Sequence, residues 1–125
     1  MKILVVDDEQ DVQALFLQKF RREIREQKVE FAFAFNGNEA LAYMGTHHHE
    51  AVLILSDINM PGMSGLELLR EIKQHYQDPP PPPIVMMITA YGDEENYSQA
   101  MKLGADDFLT KPLDFNQLKE KLNLV

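Results

Sequence analysis

The sequence predicts an α/β fold, a five-stranded parallel sheet covered by helices on both faces in three layers. Three observations carry this. Short aliphatic runs at 3–6, 29–34, 52–55, 84–88 and 108–109 recur along the chain, with segments of helical period between them. The runs are nearly continuous in apolar residues, as strands buried on both faces must be. Strands alternating with helices build a parallel sheet, and right-handed crossovers bring every strand's C-terminal end to one edge.

After the first run, Val12, Leu15, Phe16, Phe20 and Ile24 fall on one face at helical spacing and predict a single helix. Asn36-Gly37 makes a turn, and Asn38 is placed to cap a second helix carrying Ala40, Leu41 and Met44. Ser64-Gly65-Leu66-Glu67 reads as a capping box, opening a third helix with Leu68, Leu69, Ile72 and Tyr76. Asp93 caps a fourth helix through Ala100 and Met101, which Gly104 closes in a left-handed turn. Asp114 with Gln117 starts a fifth helix carrying Phe115, Leu118 and Leu122. The five prolines Pro79 to Pro83 cannot form helix or central strand. They read as a stiff exposed connector, in preference to a ligand for a proline-binding module.

Composition bounds the function. A chain of 125 residues, 45% hydrophobic and 26% charged, fits a single domain spanning 1–125. Without cysteine there is no disulfide framework and no thiolate metal site. A net charge of −8 argues against direct nucleic-acid binding by this domain; Arg21, Arg22, Arg25 and Lys28 read as a solvated helix face. The apolar runs are too short for a signal peptide or a membrane span, so a cytoplasmic location is expected. The chain ends on Leu122-Asn123-Leu124-Val125, still apolar. It reads either as a stand-alone unit or as one domain of a longer protein, with the apolar end favouring the second.

The residues just beyond each strand carry the chemistry. Asp7-Asp8 come after the first, Ser56-Asp57 after the third, Thr89-Ala90 after the fourth and Thr110-Lys111-Pro112 after the fifth. All lie on the edge where open α/β sheets bind ligands. Taken singly, an aspartate after a strand is usually a helix cap and a lysine a surface charge. Jointly, three carboxylates on one edge need a cation, and a donor set of oxygen alone points to Mg2+. A threonine and a lysine beside a metal-bound carboxylate suit a phosphoryl group, with Asp57 as the nucleophile. His47, His48 and His49 form a run that resembles a metal-binding tract but reads better as exposed loop histidines.

These blocks resemble the receiver domain of two-component response regulators, including the single-domain chemotaxis regulator. The likeness rests on Val5-Val6-Asp7-Asp8, on the segment from Ser56 to Gly65, on Ile88-Thr89-Ala90, and on the segment from Gly104 to Pro112. It implies a flavodoxin-like, doubly wound sheet of strand order 2-1-3-4-5. It implies that Asp57 accepts a phosphoryl group from a sensor histidine kinase or phosphotransfer protein. Asp8, Asp57 and the backbone carbonyl of Asn59 would ligate Mg2+ directly, with Asp7 acting mostly through water. Lys111 and Thr89 would bind the phosphoryl oxygens, and Phe108 would turn inward after Thr89. With Phe in place of the tyrosine common there, the rotamer switch survives but a hydroxyl signal does not. The resemblance further implies a cis bond between Lys111 and Pro112, a tight turn at Gly62 and Gly65, and tuning of dephosphorylation by Asn59 and Tyr91. Tyr91 would shield the phosphoryl group from in-line water. Fourth helix, fifth strand and fifth helix would form the switched surface, where a partner or a second copy binds. There, Glu94, Glu95, Gln99, Lys119, Glu120 and Lys121 are read as exposed.

Two rivals compete. A haloacid-dehalogenase-type phosphohydrolase also uses an aspartyl nucleophile, but wants a second Asp two residues on, where this chain has Asn59. A flavodoxin-like cofactor binder wants a hydroxyl- and glycine-rich loop after the first strand. Asp7-Asp8-Glu9 there would repel a phosphate. A regulatory phosphoacceptor, rather than an enzyme acting on other substrates, is the reading that fits.

Overall fold

The computed structural model describes residues 1–47, 50, 52–76, 82–90 and 92–124. The elements run β1 (Lys2–Val6), α1 (Asp11–Lys19), α2 (Arg21–Arg25), β2 (Glu30–Ala34), α3 (Gly37–His47) and β3 (Val52–Asp57). They continue with α4 (Gly65–His75), β4 (Ile84–Thr89), α5 (Glu94–Lys102), β5 (Asp107–Thr110) and α6 (Phe115–Lys121). The strands form one parallel sheet in the order β2-β1-β3-β4-β5, as the resemblance implied. Register aligns the strand ends: Val6 pairs with Ser56, Asp57 with Ile88, and Thr89 with Thr110.

Strand alternation divides the core between the two faces. Leu4, Val6, Ile54 and Met87 face one way and pack with Met44, Leu68, Leu69, Ile72 and Ala100 from α3, α4 and α5. Ile3, Val5, Leu55, Ile88 and Leu109 face the other way, against Phe16, Phe20, Leu118 and Leu122. Both sides of each central strand are therefore buried, which is why the runs are continuously apolar. Each such side chain contributes about 1.5–3 kcal/mol.

Several expectations are corrected. Six helices are present among the described residues, because the first predicted helix breaks at Phe20. The Phe20 backbone leaves the helical region (φ −106°, ψ 16°), although its amide still donates to Phe16 O and its carbonyl accepts from Ile24 N. Its ring is fully buried among Phe16, Phe31 and Phe115, so tertiary packing overrides ideal helix dihedrals. The predicted fourth and fifth helices are thus α5 and α6.

The cap of α3 is Asn36, not Asn38. Asn36 Oδ1 accepts from Glu39 N at 2.8 Å, while Phe35 N donates to Glu39 Oε1 at 2.8 Å. Because Gly37 already lies in the helix, Asn38 is too late to cap it. Ser64, Asp93 and Asp114 cap their helices as expected, and Gly104 closes α5 at φ +94°. Leu15 and Met101 lie on predicted apolar faces yet are 40% and 48% exposed. On α6, Lys119 and Lys121 are not free surface charges. They pair with Glu23 at 3.2 Å and Asp107 at 3.1 Å, respectively. His47 stacks on Tyr43, whereas His48, His49 and the prolines Pro79, Pro80 and Pro81 lie outside the described residues.

Candidate functional site

Asp57 closes β3 at the C-terminal edge and is only 3% exposed. The next peptide continues the sheet, with Ile58 N donating to Ile88 O at 3.0 Å, so the carboxylate is held by the pairing of β3 with β4. Asp7 leaves β1 in the same layer. Its amide donates to Ala34 O at 3.1 Å, and its Oδ1 accepts from Glu9 N at 2.9 Å. Asp8 is exposed at the rim. Carboxylate oxygens of Asp7, Asp8 and Asp57 lie within 4.8 Å of one another.

Lys111 reaches this cluster from the end of β5, with Nζ 2.8 Å from Asp57 Oδ2. Its amide donates to Thr89 O at 2.8 Å, extending the β4–β5 ladder by one bond and aiming the side chain back over β3. The Lys111–Pro112 peptide is cis. On the other flank, Asn59 N lies 3.4 Å from Asp57 Oδ1, and Gly62 turns the loop at φ +75°. Gly65 is required for a different reason: a Cβ there would meet Asp57 O at 2.2 Å and Ile58 Cα at 2.7 Å. The glycine was legible in the sequence, but this close approach was not.

The electrostatics are those of a site short of positive charge. Burial, helped by the Asp57 charge, pushes the Asp7 carboxyl above its ordinary range against the opposing pull of the Glu9 amide and Lys111. Burial works against the Lys111 ammonium, but its hydrogen bond and attraction to Asp57 and the charge of Asp7 outweigh it. Its pKa is raised. Three carboxylates face one ammonium, leaving two negative charges to be balanced. An all-oxygen donor set with that deficit fits a hard divalent cation such as Mg2+.

Thr89 ends β4, 2% exposed, and its Oγ1 is buried without a hydrogen bond to any described residue. A buried hydroxyl without a partner costs about 1–3 kcal/mol, so an orphan beside a ligand edge marks a place for a bonding group. Thr89, Ala90, Gly92, Tyr97 and Thr110 line a cavity of about 300 Å³ between β4, β5 and α5. Phe108 is half-buried outside it, its ring 4.1 Å from that of Tyr97. Tyr97 was not singled out from the sequence, although its spacing of four from Met101 marks one outward stripe of α5. Tyr91 lies outside the described residues. A larger cavity of about 790 Å³, lined by Met1, Lys2, Leu17 and Phe31, sits at the opposite end of the sheet, away from these groups.

The fold and this cluster define a class. The family model of the response regulator receiver domain matches residues 3–123. The two-component response regulator PhoP of Pseudomonas aeruginosa is 33% identical over 123 residues, 98% of this chain and 50% of PhoP. The response regulator protein PilR of the same organism is 39% identical over 95% of this chain and 24% of its own length. Among solved structures, the receiver domain of NtrX from Brucella abortus superposes with a TM-score of 0.77 at 32% identity. That alignment covers 98% of this chain and 95% of the NtrX domain. The chain therefore belongs to the response regulator receiver domain family of two-component systems, a regulatory family. It spans half or less of the curated relatives it matches. Among the described residues no helix is long and apolar enough to cross a membrane.

Proposed function

We propose that this chain, as a single receiver domain over 1–125, is a phosphorylation switch in which Asp57 is the acceptor. The observation that carries the reading is the Asp57 carboxylate. It is nearly buried at the strand edge, paired with Lys111 at 2.8 Å and clustered with Asp7 and Asp8. An Asp57 oxygen bonds to phosphorus as the phosphorus–nitrogen bond of a phosphohistidine breaks. The electron pair leaves with the imidazole, which takes up a proton, and an acyl phosphate remains. Donors are a sensor histidine kinase or a phosphotransfer protein.

Asp7, Asp8, Asp57 and the Asn59 carbonyl would hold Mg2+, which supplies charge neutralisation for the transferring group. Lys111 keeps its ammonium beside Asp57 and is placed to follow the charge onto the new phosphoryl oxygens. Thr89 offers a hydroxyl with no bond to another described residue, and Asn59 and Tyr91 tune hydrolysis of the product, Tyr91 by shielding it from in-line water. Phosphorylation shifts a pre-existing equilibrium in which Thr89 and Phe108 turn inward, altering the surface of α5, β5 and α6. That surface exposes Glu94, Glu95, Gln99 and Glu120 for a downstream partner or a second copy. The site is cytoplasmic, and the domain itself contacts neither nucleic acid nor membrane.

Incubating the protein with acetyl phosphate and Mg2+ tests the reading by intact mass. A gain of one phosphoryl group is expected, lost in Asp57→Asn and on chelation of the metal. An unchanged mass of the wild type contradicts it.

A further inference from the structure

Tyr97 touches both Phe108 and the cavity behind Thr89. Its ring centroid lies 4.1 Å from that of Phe108 at an interplanar angle of 37°, and it lines the cavity with Thr89 and Thr110. Along β5, Leu109 is buried in the cluster with Phe16 and Leu118, so Phe108 and Thr110 face the opposite side, toward α5. Phe108 thus sits one strand step from the cavity, on the same face, with Tyr97 at the boundary. The cavity, about 300 Å³, exceeds the about 150 Å³ that holds a benzene ring. Thr89 forms part of its wall, and its Oγ1 has no hydrogen bond to a described residue to break when it turns.

Tyr97 is itself 50% exposed. A tilted contact between two rings is an orientation-dependent pair that can be made in one state and lost in the other.

We propose that Tyr97 is the latch of the switch, a positioning residue whose ring keeps Phe108 outside the cavity while Asp57 is unmodified. When Phe108 turns inward the contact is lost, and the phenol of Tyr97 moves on the α5 surface. The hydroxyl that Phe108 lacks is then displayed by the neighbouring helix. This rests on the reading of Thr89 and Phe108 as a switch pair.

The test replaces Phe108 with para-fluorophenylalanine and records fluorine NMR of the unphosphorylated protein in H2O and D2O. In Tyr97→Leu and Tyr97→Ala the inward:outward ratio rises about three- to tenfold, the size one aromatic pair commands. The fluorine becomes more buried, so its solvent isotope shift shrinks. A merely structural contact gives the opposite sign, because removing Tyr97 uncovers Phe108. A larger or unchanged isotope shift in both variants overturns the latch. Tyr97→Phe, which keeps the ring, behaves as wild type if the latch holds; a shift as large as that of Tyr97→Leu counts against it. Intact mass after acetyl phosphate and Mg2+, run on the same wild-type sample, separates the two claims. Missing phosphorylation there defeats the proposed function, whereas the isotope shift decides the latch alone.

Discussion

The Lys111 ammonium and the Asp57 carboxylate meet at 2.8 Å across the end of the sheet, and the pair is lopsided. Asp57 is almost enclosed, while the lysine side chain is 41% exposed. Lys111 is therefore a half-exposed cation over a buried anion, the arrangement that the proposed phosphoacceptor role calls for. Lys111→Ala should slow phosphorylation by acetyl phosphate by about 10²-fold, the scale of removing one charge-stabilising donor. The same variant should bind Mg2+ more tightly, since a neighbouring positive charge is gone. Rate and metal titration together check this; weaker Mg2+ binding would show that Lys111 supports the metal site rather than competes with it.

Asp7 should report its burial at the site through pH. Its folded-state pKa is raised above the ordinary 3.8, chiefly by burial. The stabilisation it gives by binding a proton is fully present below that ordinary value and is lost as pH rises through the raised one. Without metal, Asp7→Asn should therefore raise the melting temperature by a few degrees at neutral pH. The difference from wild type should shrink as pH falls toward 4. Thermal melts of both proteins across this range check the sign; a difference independent of pH would refute it.

Gly65→Ala should be among the most damaging single-methyl changes in the chain. Its Cβ would fall 2.2 Å from Asp57 O, and backbone on both sides resists displacement. A loss of about 1–3 kcal/mol in urea unfolding is expected, with phosphorylation impaired in the molecules that remain folded. Gly62→Ala meets no atom within 4 Å and should act only through its left-handed backbone, near 1 kcal/mol.

Asn36→Ala should cost about 1 kcal/mol, because Asn36 and Glu39 each accept from the other's end of the turn. Asn38→Ala should be close to neutral. Urea midpoints of the two variants distinguish the caps directly.

That last pair illustrates what was legible in the sequence. The strands were readable because both faces of each central strand are buried, so Ile3 through Val6 and Val52 through Leu55 are apolar without interruption. Aspartates at strand ends were readable because one topology brings every such end to one edge. Strand order came through the resemblance, not from periodicity. Features set by contacts distant in sequence were not readable. Phe20 breaks its helix because rings from β2 and α6 enclose it. Met101 follows the helical period yet faces solvent, and Lys119 is taken up by Glu23 and lies over the Phe20 ring. The contact of Tyr97 with Phe108 joins residues on different elements and leaves no local signal.

The central claim concerns one atom pair, an Asp57 oxygen and phosphorus, and trapping the acyl phosphate chemically addresses it most directly. The phosphorylated protein is reduced with labelled borohydride, which converts an aspartyl phosphate to homoserine, and the label is located by peptide mass spectrometry. Label at residue 57 alone is the predicted result. Label at Asp7, at Asp8 or at neither, with residue 57 still aspartate in protein that has gained the phosphoryl mass, would contradict it.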